Sequence, residues 1–112
     1  MYTTTGLNAP GITPSSPQHI SFLPAFGAAK QLSAGITSDR IGLTANIRGL
    51  RLVARGAAVR FTLGTYNVVA DDTDHYLEEG MSILISLREG ENYVAAIRAN
   101  SVEGTLEISE LL

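Results

Sequence analysis

The chain has 112 residues, room for one domain, and a formal net charge of −3, which does not suit a surface built to hold DNA or RNA. It contains no cysteine, so disulfides, thiolate metal sites and cysteine nucleophiles are excluded, and no apolar run approaches the roughly 20 residues of a membrane-spanning helix. Charged residues make up only 17% of the chain, against a usual figure of about 25%, which fits a surface partly covered by a partner.

Two regions of different character follow one another. All four prolines (Pro10, Pro14, Pro17 and Pro24) lie in the first 24 residues, and Lys30 is the only charged side chain before Asp39. Proline fixes φ and removes a donor, so residues 1–35 read as an extended N-terminal arm. A short helical turn near Ala25 to Leu32 is the one local exception expected. The arm carries Ile12, Ile20, Phe22, Leu23 and Phe26, large apolar groups that gain nothing in free water, so it is expected to lie along another surface. The N-terminus lacks the basic-then-apolar order of a signal peptide, and synthesis in the cytoplasm is expected.

Residues 36–112 form a series of short alternating runs. Arg40 to Thr44 alternates, and Asn46 to Gly49 turns the chain. Leu50 to Ala54 follows, then Ala57 to Leu63 with Val59, Phe61 and Leu63 on one face. Tyr66 to Ala70 is β-rich, and Asp71 to Asp74 is a polar loop leading into His75-Tyr76-Leu77. Met81 to Leu87 sets Met81, Ile83, Ile85 and Leu87 on one face. Tyr93 to Arg98 and Thr105 to Glu110 complete the series, the latter with Leu106 and Ile108 inward. Period-two alternation with glycine-bearing turns every 8–12 residues predicts an all-β domain of seven or eight strands, a β-sandwich that is jelly-roll-like, with an immunoglobulin-like order as the alternative. The expected core is Leu50, Leu52, Val59, Phe61, Leu63, Val68, Leu77, Ile83, Ile85, Val94, Ile97, Leu106 and Ile108.

Reactive constellations are few. Asp71, Asp74 and His75 could supply metal ligands, but the loop lacks the glycine and glutamate of an EF-hand, and a turn capped by its own aspartates accounts for it. No serine sits in a G-x-S-x-G turn, and the Glu78-Glu79 and Glu89/Glu91 pairs flank glycine turns, where solvated charge is the simpler account. No catalytic residue, metal site or cofactor is expected, and the chain is not expected to be an enzyme. Tyr66, Tyr76 and Tyr93 could instead form a sugar-stacking platform, the mark of a carbohydrate-binding module.

Five stretches of the second region share an order with a diffuse protein family. They are Gly49 to Val53, Ala58 to Gly64, Val68 to Gly80, Tyr93 to Ala99 and Gly104 to Ile108. The order is an arginine-bearing strand ending in V-R-F-x-x-G, a threonine- and aspartate-rich loop, an L-x-x-G turn, a strand of the H/Y-V-A-A-I-R type and a closing G-T-L-x-I strand. In this the chain resembles small virion structural proteins of tailed bacteriophages. The resemblance implies a capsid decoration (cement) protein on the capsid surface. It also implies a homo-oligomer, commonly a trimer, with the major capsid protein as partner. A head–tail connector or a tail or head-fibre subunit is the alternative. Neither nucleic acid nor membrane is expected as a partner. The expected partner-binding residues are Ile20, Phe22, Leu23 and Phe26 as arm anchors, and Arg40, Arg48, Arg51 and Arg60 for contacts with the shell or with neighbouring subunits.

Overall fold

The structure, a computed structural model, describes residues 25–112. Eight strands account for them: β1 (Phe26–Ala34), β2 (Asp39–Gly42), β3 (Gly49–Arg55), β4 (Val59–Gly64), β5 (His75–Leu77), β6 (Ser82–Ser86), β7 (Tyr93–Arg98) and β8 (Gly104–Leu111). They form two antiparallel sheets of four strands, and the described residues include no helix. Sheet one runs β1-β8-β3-β6, and sheet two runs β2-β7-β4-β5.

Alternation explains which side chains meet. In β3, Leu50, Leu52 and Ala54 are fully buried, while Arg51 and Arg55 are exposed. Opposite them in β8 stand Glu110, Ile108 and Leu106, on the same face by register. Val59 and Phe61 of β4, Leu77 of β5, and Val94 and Ala96 of β7 complete one cluster shared by both sheets. Burial of a leucine such as Leu50, Leu52 or Leu106 contributes about 1.5–3 kcal/mol. Gly49 opens β3 against the Ile85 carbonyl, which an added Cβ would meet at 2.5 Å, so only glycine lets β6 approach there.

The expected core is buried at Leu50, Leu52, Val59, Phe61, Leu77, Val94, Leu106 and Ile108, and partly buried at Leu63 and Ile85. It departs from expectation at Ile97, which its register with Arg60 turns to the outer face, at Val68, which lies in a turn, and at β6. Met81, Ile83, Ile85 and Leu87 do share a face, but Met81 and Ile83 remain exposed. The reason is the partner sheet: β5 has only three residues and leaves nothing opposite the outer half of β6.

Two stretches depart further. Residues 26–34, expected within the arm and with a helical turn, form β1 and pair with β8 from Phe26↔Leu111 to Ala34↔Gly104. Pairing with an otherwise open β8 edge, and burial of Leu32 and Ala34, outweigh the helix propensity of Ala28-Ala29-Lys30-Gln31. The register slips between Phe26 and Ala29, so that Gly27 and Ala28 both oppose Glu110, a β-bulge. Conversely, Tyr66 to Ala70 is not a strand. It turns at once, with Val68 N–H donating to the Thr65 carbonyl at 3.0 Å.

That turn opens a loop, residues 65–74, which lies on the outer face of sheet two. The loop leaves β4 at Gly64, next to Tyr93. At its middle the Ala70 N–H donates to Ser38 Oγ at 2.8 Å, just before β2 on the far side of β7. It returns to β4 where Arg60 Nη1 donates to the Asp74 carbonyl at 3.0 Å. A path from β4 to the β2 edge and back must cross β7. Ala95, whose register with Arg40 and Thr62 turns it away from the core, is accordingly 0% exposed.

Candidate interaction surface

The structure separates the expected partner-binding residues. Ile20, Phe22 and Leu23 lie outside the described residues. Arg40 and Arg60 stand on the outer face of sheet two, and both hold the loop. The Arg40 guanidinium carbon lies 4.9 Å from the centre of the Tyr66 ring, and that of Arg60 lies 5.1 Å from the Tyr76 ring. Tyr66 in turn meets Tyr93 edge to face, with ring centres 5.7 Å apart. Cation–aromatic contacts of this kind are worth about 0.5–1 kcal/mol at exposed sites. The Arg40–Tyr66 contact and the Ser38–Ala70 and Arg60–Asp74 hydrogen bonds pin the loop at its start, middle and end, whereas Arg60 and Tyr76 are cross-strand neighbours on β4 and β5.

Arg51 is placed differently. It lies on the outer face of sheet one, in a row running Ala29–Ser109–Arg51–Leu84 across the four strands. The neighbouring row is Phe26–Leu111–Gly49–Ser86, and Arg48 directly precedes Gly49. Phe26 and Leu84 are each about two-thirds exposed. The rest of this face carries Ser33, Ser82, Ser86, Thr105 and Ser109, with Val53, Leu111, Gln31, Arg55 and Glu107 among them. Its one ion pair joins Arg55 and Glu107, and Gln31 Nε2 donates to Glu107 Oε1 at 3.1 Å. The Arg55 hydrogen bond holds the Glu107 carboxyl below its ordinary range. Phe26, Arg51 and Leu84 thus lie exposed in neighbouring rows of this face, at the end where the chain enters β1.

Facing the core of the same sheet is a group that sequence reasoning missed. Lys30 opposes Ile108 and so points inward, and Glu110, opposing Leu50, does the same and is 1% exposed. Lys30 Nζ lies 2.9 Å from Glu110 Oε2 and donates to the Gly42 carbonyl at 2.9 Å. The Thr44 N–H donates to the same carboxylate oxygen at 2.9 Å. Burial pushes the Glu110 carboxyl up. The Thr44 hydrogen bond and the Lys30 ammonium outweigh it, and the group stays below the usual carboxylate range. The pair ties β1, β8 and the β2–β3 connection together. Two signals in the sequence point to it: Lys30 is the lone charge before Asp39, and Glu110 shares the parity of Leu106 and Ile108.

The Asp71 to Asp74 loop closes on itself. Asp71 Oδ1 accepts from the Thr73 N–H at 2.9 Å and from Thr73 Oγ1 at 2.6 Å, and Asp74 Oδ2 accepts from the Asp71 N–H at 2.8 Å. The Thr73 hydrogen bonds hold the Asp71 carboxyl below its usual range. Among the described residues no three histidine, aspartate or glutamate side chains converge on a common point.

Between the sheets, on the side of β5 and β6, lies a groove of about 420 Å3. Phe61, Leu63, Ile83 and Ile85 give it an apolar floor, and His75 and Arg88 stand at its rim. It exists because β5 pairs only with Val59 to Phe61, leaving the second half of β4 uncovered. Set beside known proteins, the chain matches no family model, no curated protein and no solved structure.

Proposed function

We propose that this chain is a structural component of a tailed-phage particle, a capsid decoration protein that binds the major capsid protein and stabilises the shell. Its domain is read as a jelly-roll sandwich. The strand orders 1-8-3-6 and 2-7-4-5 support that reading, because they pair the first strand with the last, the second with the seventh and the third with the eighth. The observation that carries the proposal is the place where the uncharged leader joins the fold. It enters at Phe26 in an edge strand, on an outer sheet face where Phe26, Arg51 and Leu84 are exposed in neighbouring rows. A leader that reaches onto a neighbour, joined to a rigid face, binds with the combined strength of two linked contacts.

The test is co-sedimentation with purified shells. Full-length protein should bind, removal of residues 1–24 should weaken binding by on the order of 100-fold, and Arg51→Glu by about 10-fold. Binding that is unchanged by both would overturn the proposal. A carbohydrate-binding module is supported less, because the Tyr66 and Tyr76 rings already carry arginine guanidinium groups. A connector or tail subunit differs from a decoration protein in copy number per particle, which quantitative gel densitometry of particles measures.

A further inference from the structure

Strand β6 is the unprotected edge of sheet one. The backbone groups of alternate residues in a strand point to opposite sides. Leu87 N–H donates to the Arg48 carbonyl at 2.9 Å, and the Met81 carbonyl accepts from Ala54 N–H at 3.3 Å, so the odd-numbered residues face β3. Ser82, Leu84 and Ser86 therefore direct both N–H and C=O away from the sheet, where no described strand pairs with them. The strand carries no charge and no proline, and Leu84 is 65% exposed. The other edges are defended as edge strands usually are: β2 is short and opens on Asp39-Arg40, β5 has three residues, and β1 has a bulge.

We propose that β6 pairs antiparallel with β6 of a second copy, about a two-fold axis through Leu84. The strand Ser82-Ile83-Leu84-Ile85-Ser86 reads the same in both directions. Centred on Leu84, the pairing sets Leu84 against its own copy, Ile83 against the partner's Ile85 and Ser82 against the partner's Ser86. The outward backbone groups belong to residues 82, 84 and 86. This register therefore makes three hydrogen-bonded residue pairs that exchange two bonds each, about six bonds in all. The inward isoleucines border the groove floored by Phe61 and Leu63, and the partner's isoleucines extend its apolar lining across the axis. The product is one continuous eight-stranded sheet with the two β1 strands at its far edges. Leu84 also lies on the face proposed to meet the shell, so self-association is tested on protein free of shells. It closes at two copies, where the family resemblance implies three.

Light scattering on full-length protein in the absence of capsids tests it. The expected mass is twice 11.9 kDa. Leu84→Lys places like charges face to face and should raise the dimer dissociation constant by on the order of 100-fold, with an unchanged circular dichroism spectrum. The chain has no cysteine, so a single introduced thiol reports its own position. Hydrogen-bonded antiparallel residues stand about 5.5 Å apart at Cα, within disulfide range, so Leu84→Cys should form a covalent dimer on mild oxidation. Val69→Cys, exposed on the 65–74 loop that covers the outer face of sheet two, should not. A monomeric or three-copy mass overturns the proposal. So does equal cross-linking of the two cysteine variants, as would follow if residues 1–24 or another protein occupied β6.

Discussion

The two sheets treat their outward faces in opposite ways. In sheet one the outward face of β3 and β8 carries Arg51, Arg55, Thr105, Glu107 and Ser109 beside Val53 and Leu111, and burial alternates from Leu50 to Arg55 and from Leu106 to Glu110. In sheet two, Val94, Ala95 and Ala96 of β7 are buried in succession, because the core covers one side and the 65–74 loop covers the other. A loop without regular structure here does the work of a third layer. It is held by a serine hydroxyl, an arginine hydrogen bond and one arginine–tyrosine contact rather than by a sheet ladder. Sheet one has the reverse peculiarity: its interior is where the charge is, in the Lys30–Glu110 pair.

That contrast can be broken most strongly from the inside. Lys30→Met leaves Glu110 buried without its cation and should cost about 3–5 kcal/mol in urea unfolding at pH 7. The double variant Lys30→Met with Glu110→Leu should recover most of that loss, since an apolar pair of similar volume removes the buried charge altogether. Equal losses in the single and double variants would mean that Lys30 acts by packing alone.

The covered and open outer faces should then respond differently to the same kind of change. Ala95→Leu forces methyl groups beneath the loop and should cost about 1–3 kcal/mol, whereas Ser33→Leu on the open face of sheet one should stay within about 0.5 kcal/mol. Ser38→Ala removes the hydroxyl that accepts from Ala70 N–H and should cost about 1 kcal/mol. Its sharper readout is hydrogen exchange, with faster exchange at Ala70 and no change in β3. Uniform behaviour of both faces in these assays would remove the distinction.

The mildest perturbation is protonation. The folded-state pKa of Glu110 is lowered relative to the unfolded chain, so its contribution is complete above the ordinary carboxylate value and is lost as pH falls through the lower folded value. Glu107, held down by Arg55, acts in the same direction. The urea midpoint should be flat from pH 7 to about 5 and fall below about 4. Glu110→Gln should flatten part of that fall.

Much of the fold is legible in individual residues. Leu50, Leu52, Val59, Phe61, Val94, Leu106 and Ile108 each announce an inward position by parity, because a strand exposes alternate side chains to one environment. β1 is not legible in this way. Phe26-Gly27-Ala28-Ala29-Lys30-Gln31-Leu32-Ser33-Ala34 has few large apolar groups and a bulge that breaks its parity, and it becomes a strand only because β8 offers it an edge. Tyr66 to Ala70 misleads in the opposite direction. Its β-rich composition serves a covering loop, and the same tyrosine and valine side chains that favour strands also favour packing flat on one. Of the candidate surface, Phe26 and Arg51 share a face, but nothing local distinguishes Arg51 from Arg40 or Arg60, whose guanidinium groups are engaged within the domain.

By itself the sequence determined an all-β chain, the glycine-marked turns of its second region and most of the residues that form its core. These follow from side-chain period and turn chemistry, which act over a few neighbours. Tertiary structure alone decided that residues 26–34 close sheet one, that Lys30 finds Glu110 across the strand pair, that the 65–74 loop roofs sheet two and that β6 is left with an open edge. Each of these depends on which strand stands next to which, and that is settled by contacts between residues far apart along the chain.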